Sequence, residues 1–349
     1  MSHAVLAVPG DLMTLTGGYL YDRRLLAALR ALGRDVRHIA LPGTFPAPSP
    51  ADQKSVAGHL AAVPTDCPII IDGLAFGALD HSTLAGVRAP VVALIHHPLA
   101  EESGLDPARR EALYRSERDN LGLAAHVIVT SAHTAGLLTS RYGVASGRIT
   151  IARPGVDPPS GDRAAADPPL ILAVGIVVPR KGHDLLLRAL AQITDRAWQA
   201  RIVGAVRDEH HARAVRQLAA MPALARRVRL TGSVAADELA RLYRQASIFA
   251  LATRYEGHGI VFDEAMVHGL PIVTCAVGAV PDTVARGAGL LVPAEDPDAF
   301  AAALARVLDD AALRGRMAST SERAGTALPG WDDTARRTAG VIDRVAARG

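Results

Sequence analysis

Two carboxylates with seven residues between them, Glu256 and Glu264, stand in the run EGHGIVFDEAMVHGLP, and Gly257, His258 and Gly259 follow the first. Apolar residues then recur with helical spacing through Ile260, Val261, Ala265 and Val267 until Gly269 and Pro271 stop the pattern. This spacing predicts Glu256 on a loop entering a helix and Glu264 one to two turns inside it. The glycines let a ligand approach the backbone, and the N–H groups of a first helical turn have no partner within the helix. The helix start therefore suits phosphate oxygens, and the two acids suit vicinal hydroxyls. A nucleotide-diphosphate sugar carries both kinds of group. Two exposed acids on an amphipathic helix fit the same spacing, so the surrounding chain has to decide.

The elements that would position these residues alternate along the whole chain. Short apolar runs begin at His3–Val8 and continue at 36–41, 69–71, 91–95, 127–130 and 149–152, with helical patterns between them such as 21–32, 108–121 and 134–142. A second series runs through 170–174, 200–203, 228–231, 248–251, 271–274 and 290–292. Buried strands alternating with helices predict parallel sheets covered on both faces. The fold class is α/β, with two doubly wound, Rossmann-like domains and a cleft between them. The Pro-, Gly- and Asp-rich stretch Arg153–Pro169 reads as the linker, and Leu41–Pro50 as a loop inside the first domain. We expect an N-terminal domain over 1–158, a C-terminal domain over 168–330, and a final helix from Trp331 (331–349) returning to the first domain.

In such sheets ligands lie beyond the carboxyl ends of the strands. After 170–174 come Gly175, Ile176 and then Pro179-Arg180-Lys181-Gly182, so two cations precede a helix start, where the helix dipole disfavours them unless an anion is near. After 228–231 come Gly232, Ser233 and Val234. Arg254 and Tyr255 precede Glu256 and could reach the same pocket. In the first half, Gly17 and Gly18 follow the loop after the first strand, and their freedom would let that loop fold against a phosphate or sugar. His96 and His97 end the run 91–95, while Asp72 and Ser131 end two others and are candidates for acceptor contact.

The segment from Glu256 to Pro271 resembles the Glu-X7-Glu signature of retaining glycosyltransferases of the GT-B type, the family-4-like group that includes glycogen and sucrose synthases and bacterial mannosyltransferases. The likeness extends over Gly232-Ser233-Val234, Gly278–Val280, Gly289–Pro293 and Asp296, and it is strong from about Gly175 to Asp309. It implies that Glu256 touches the donor sugar and Glu264 the ribose, and that Ser233 and Val234 lie against the base. It also implies that Arg180 and Lys181 bear on the diphosphate and that His96 reaches the donor sugar from across the cleft. Gly175, Gly257, His258, Gly259 and Ile260 would line the donor, and Gly17, Gly18 and His97 the acceptor or phosphate side. Many members carry Arg where this chain has Ile176, and Arg180 would supply the missing cation. Arg153–Asp157 resembles the group's hinge. The implied activity is retaining hexosyl transfer to a small-molecule, lipid-headgroup or glycan acceptor, with domain closure during turnover. A nucleotide-sugar epimerase, a phosphorylase or a catalytically silent nucleotide-sugar binder are the alternatives.

Composition bounds the rest. A chain of 349 residues favours two domains, and 49% hydrophobic with 21% charged residues is an ordinary globular balance. Residues 1–158 carry 14 Lys/Arg against 14 Asp/Glu, so the net +3 belongs to the second half. No basic stripe points to nucleic acid, and no polybasic face supports membrane contact. Cys67 and Cys275 lack metal-ligand spacing and read as buried thiols of a reducing compartment. With neither a signal peptide nor a long apolar run, a cytoplasmic protein is expected. No cofactor and no metal are expected: no Asp-X-Asp pair sits in a suitable loop, and no third ligand has helical spacing with His96-His97. Five Phe, two Trp and six Tyr leave few stacking platforms for a long glycan. Donor base, acceptor and oligomeric state are not legible.

Overall fold

The computed structural model describes residues 3–159 and 161–347. Contacts divide the chain into two units. One takes everything up to Gly155 together with everything from Pro329, and the other is Val156–Leu328. Each is built on a six-stranded, wholly parallel sheet.

In the first unit the strands are β1 (His3–Pro9), β2 (Asp35–Leu41), β3 (Ile69–Asp72), β4 (Val91–Ile95), β5 (His126–Val129) and β6 (Ile149–Ile151), in the order β2-β1-β3-β4-β5-β6. In the second they are β7 (Leu170–Val174), β8 (Gln199–Val203), β9 (Val228–Gly232), β10 (Ala246–Leu251), β11 (Ile272–Cys275) and β12 (Gly289–Val292), in the order β12-β11-β10-β7-β8-β9. Central strands β3, β4 and β10 are buried at every residue, which is why they read as unbroken apolar runs without alternation. Strand order reverses between β1 and β3 in one sheet and between β7 and β10 in the other. In open α/β sheets the loops on either side of such a reversal leave on opposite faces, and ligands bind at the carboxyl edge there.

Gly17 and Gly18 differ from the sequence reading. They form the first turn of the helix Gly17–Ala31, rather than ending a loop before a helix from Tyr21. Among the described residues the stretch between β6 and β7 contains no regular element, but its second half is not a free tether. Arg163 donates to the Gly269 carbonyl at 3.0 Å, and Ala164 and Ala166 bond the Arg244 and Gln245 carbonyls.

The C-terminal helix Trp331–Ala346 packs on the helix Gly17–Ala31 and on β6 of the first unit. Its Thr334 hydroxyl donates to the Arg153 carbonyl at 2.7 Å, and Trp331 meets the edge of Tyr21 at 5.8 Å. A Cβ on Gly155 would lie 2.2 Å from the Trp331 nitrogen, so the crossing admits only glycine there. No helix of the described residues is long and apolar enough to cross a membrane.

Candidate functional site

The loops leaving β7 and β10 meet at the switch point of the second sheet. After β7 the chain runs through Gly175 to a 3-10 turn, Pro179–Lys181, and then to Gly182 at φ +62, which starts the helix His183–Ala191. A Cβ on Gly182 would stand 1.8 Å from the Ala252 carbonyl oxygen, so the two strand exits touch through backbone. The Arg180 carbonyl accepts from the Arg254 N–H at 2.7 Å. On the other flank the Glu256 carbonyl accepts from the Ala279 N–H at 2.9 Å, with Gly278 passing too close to tolerate a side chain. The Glu256 backbone is thus fixed from both sides.

Its side chain is the focus of the charges. Lys181 Nζ donates to Oε1 at 2.6 Å, Thr253 Oγ1 donates to the same oxygen at 2.9 Å, and Arg180 Nη1 lies 3.6 Å from Oε2. Glu256 is only 4% exposed. Burial works against its ionisation, but Lys181 first and Arg180 next outweigh it, and the carboxyl is held below the usual range. Two cations on one carboxylate leave a formal charge of about +1 at the crevice. Arg254, a candidate pocket residue from the sequence, clamps the two strand exits. It pairs with Asp184 at 2.9 and 3.0 Å and also with Glu295 and the Pro179 carbonyl.

The helix Ile260–Val267 starts at Gly259, φ +89, and no side chain caps it. The Phe262 N–H bonds the Gly259 carbonyl at 2.9 Å, which leaves Ile260 and Val261 as the first-turn N–H groups without a side-chain cap. Glu264 lies in its second turn, as the spacing predicts. Tyr243 donates to Glu264 Oε2 at 2.7 Å, and burial pushes the carboxyl up to about 7 against that hydrogen bond. The His258 ring is engaged with Asp263 at 2.5 Å and is buried, so its side chain belongs to the helix support and only its backbone lies on the glycine loop. Gly175 sits beside Lys181, and its carbonyl accepts from His183 Nε2 at 3.0 Å. Burial depresses that imidazole to about 4, so His183 is a neutral tether. Ser233 is exposed after edge strand β9, and Val234 packs on the core around Phe249 and Phe262. With β7 and β8 between them, β9 and β10 are about 14 Å apart at ~4.8 Å per strand. The predicted residues therefore spread along one carboxyl edge. Asp296-Pro297-Asp298 is an Asp-X-Asp in sequence, but Asp296 caps the Ala299 N–H and Asp298 accepts from Gln192.

The first unit has its own cluster. His96 Nε2 lies 3.1 Å from Asp22 Oδ1 and 3.4 Å from Asp72 Oδ2, with both acids buried. These three groups bring one polar atom each within 4.8 Å of one another. The sequence reading found no carboxylate at helical spacing from the histidine pair; tertiary structure supplies two. Asp22 carried a signal that was missed, because with Leu25, Leu26 and Leu29 it forms a buried stripe at i, i+3, i+4, i+7. Gly18 packs on the ring: a Cβ there would stand 3.4 Å from His96 Cδ2. His97 approaches Glu102 at 3.4 Å. Ser131 is used as a helix cap, accepting from the Thr134 N–H, which accounts for it without an acceptor.

Two family models match in tandem, "Glycosyltransferase Family 4" over residues 23–159 and "Glycosyl transferases group 1" over 168–310. The chain belongs to the family-4-like GT-B glycosyltransferases. Among the curated members of this group, a D-inositol 3-phosphate glycosyltransferase of Streptomyces avermitilis is 32% identical over 70% of this chain and 56% of its own length. One from Kineococcus radiotolerans is 32% identical over 72% and 65%. The chain thus spans between half and two thirds of these relatives. Among solved GT-B structures, sucrose-phosphate synthase from Thermosynechococcus elongatus superposes with a TM-score of 0.83 at 23% identity, covering 99% of this chain and all of that one. HepE of Anabaena, in complex with UDP-glucose, gives 0.75 at 15% identity, covering 97% and 99%.

Proposed function

We propose that this GT-B chain is a hexosyltransferase that moves a sugar from a nucleotide-diphosphate donor to a small polar acceptor with retention of anomeric configuration and without a metal. The observation that carries the reading is Lys181 and Arg180 converging on buried Glu256 at a sheet switch point, beside a helix start with no side-chain cap. The net positive charge and open N–H groups suit a diphosphate, and fixed cations stabilise the charge that develops on a departing nucleoside diphosphate. Because the lysine and arginine are held by Glu256, they are aimed before substrate arrives. Glu256 would orient the sugar hydroxyls, Glu264 the ribose, and the Ser233-Val234 backbone the base. His96 would serve a substrate oxygen.

Retention follows from a same-face displacement through an oxocarbenium-like transition state, with Glu256 already spent on its cations and so a poor nucleophile. The complexes of HepE with UDP and UDP-glucose make UDP-sugars the first donors to try, and the names of the curated relatives make inositol 3-phosphate the first acceptor. The test is a thermal-shift screen of UDP-, GDP- and ADP-hexoses, followed by assay of released nucleoside diphosphate with and without EDTA. Proton NMR of the product reads the anomeric configuration. Stabilisation by a nucleotide sugar, EDTA-insensitive release of diphosphate and a retained anomer are expected. An epimerised donor, an inverted product, or no shift with any nucleotide sugar would overturn it.

A further inference from the structure

We propose that Asp22 and Asp72 are positioning residues that lock His96 as an imidazolium, presenting Nδ1–H as a fixed cationic donor to a substrate oxygen. This deepens the glycosyltransferase reading above and rests on it for the identity of the substrate.

One ring nitrogen, Nε2, faces both carboxylates, at 3.1 and 3.4 Å. Asp72 is itself held, because its Oδ1 accepts from the Leu74 N–H at 3.0 Å and leaves Oδ2 for the ring. Asp22 and Asp72 are 1% and 2% exposed, so neither can be solvated in place of the histidine. Two buried carboxylates this close are tolerated when a proton-bearing cation lies between them. The ring is fixed sideways as well. Tyr21 meets it edge-on at 5.1 Å, Gly18 leaves room for its Cδ2–Nε2 edge, and its own carbonyl accepts from Thr130. Tyr21 is in turn tied by its hydroxyl to the Ala152 carbonyl at 2.8 Å.

Among the described residues no hydrogen bond reaches Nδ1, and the side chain keeps 18% of its surface. With the Cδ2–Nε2 edge covered, that open surface belongs to the opposite edge. Anchoring Nε2 on acids fixes which proton is spent inside and which is offered outside. The titratable groups facing the ring are Asp22 from the helix Gly17–Ala31, Asp72 from the end of β3, and the Tyr21 phenol, which burial keeps neutral by raising it well above its ordinary range. Burial alone would depress the imidazole, but the Asp22 and Asp72 carboxylates reverse this and lift it to about 10. Burial pushes Asp22 itself up to about 6, with His96 opposing and Asp72 adding to the rise.

The sign is then defined. Below about pH 10 the ring is charged and Nδ1 donates; a ring with an ordinary pKa near ~6.5 would turn Nδ1 into an acceptor above neutrality. The experiment follows the imidazole nitrogens by two-dimensional proton–nitrogen NMR from pH 5.5 to 9.5, with His96 assigned by its loss in His96→Gln. In the parent, both nitrogens should stay at imidazolium shifts to pH 9. In Asp22→Asn the ring should titrate below about pH 7. Transfer by that variant should then fall about tenfold for each pH unit above its midpoint, while the parent's stays flat to pH 9. Asp22→Glu should restore the parent profile. Should Asp22→Asn not fold, Asp72→Asn is titrated in its place, and the parent titration is decisive by itself. A parent ring that titrates near 6.5, a variant ring with the parent's midpoint, or a stoichiometric metal in elemental analysis that disappears in His96→Gln would each overturn the inference. A locked imidazolium with no transfer to any acceptor would leave the positioning intact and remove the glycosyltransferase reading instead.

Discussion

The two sheets present the same feature, a strand-order reversal with charges gathered at its carboxyl edge, but with opposite charge balance. At β7/β10 two cations share one buried acid, Glu256; at β1/β3 and the neighbouring β4, two buried acids share one imidazole, His96. Formal charge is about +1 in the first and −1 in the second when the ring is protonated. In the C-terminal cluster cations outnumber the acid they share, and in the N-terminal cluster acids outnumber the one imidazole they flank. One topology thus carries a cation-rich cluster in one unit and an acid-rich cluster in the other. The difference lies in which residue types the strand exits carry.

Substitutions can break that contrast, beginning with the largest effect. Lys181→Glu makes the receptor net negative, and the shift in melting temperature given by a nucleoside diphosphate should vanish, with transfer down about 1,000-fold. Glu256→Gln has the more instructive outcome, because both cations lose the carboxylate they share and the formal charge rises. Calorimetry should find nucleoside diphosphate bound as tightly as in the parent or more so, while transfer falls about 100-fold. Equal loss of binding and transfer would mean that Glu256 matters only as a support for the cations. Glu264→Gln should weaken donor binding about tenfold, the worth of one charge-assisted hydrogen bond.

The same variant carries a pH signature. Glu264 is raised in the fold, so the native state holds its proton after the unfolded chain has lost it, and stability declines between about pH 4.5 and 7. Glu264→Gln should flatten that decline in denaturant titrations, leaving stability at pH 8 no lower than the parent's. The smallest effect is expected at the surface pair of Arg34 and Asp343, which ties the last helix to the first unit at 2.6 Å. Asp343→Asn should change unfolding free energy by less than about 1 kcal/mol, with transfer unaltered. It is the control for changes that act only through stability.

Legibility in the sequence follows the range of the interaction. Strands β3, β4 and β10 were visible as apolar runs because burial on both faces removes alternation. The Glu256 loop and the position of Glu264 were visible because a glycine pair and a helical period are local signals. The first helix starts earlier than its apolar pattern predicts because glycine is a poor helix former by itself, yet Gly17 and Gly18 form its first turn, with Gly18 packed on the His96 ring. For Arg254 and Ser131 the residue types suit a ligand, and only the tertiary structure shows that Asp184 and the Thr134 N–H engage them. Nothing in the residues around Glu256 announced that Thr253 and Tyr243 would supply hydroxyl donors to the two acids.

The sequence by itself determined the alternation of elements, hence the two parallel sheets, and the glycines without which Gly182 and Gly278 could not pass so near Ala252 and Glu256. Those are properties of single residues and short periods. Only tertiary structure decided which charges meet. Lys181 and Glu256 are 75 positions apart, and Asp22 and His96 are 74 apart. A parallel sheet brings together strand exits that the chain separates by whole helices, and in a buried crevice a neighbour a few ångströms away outweighs anything the local sequence states about ionisation.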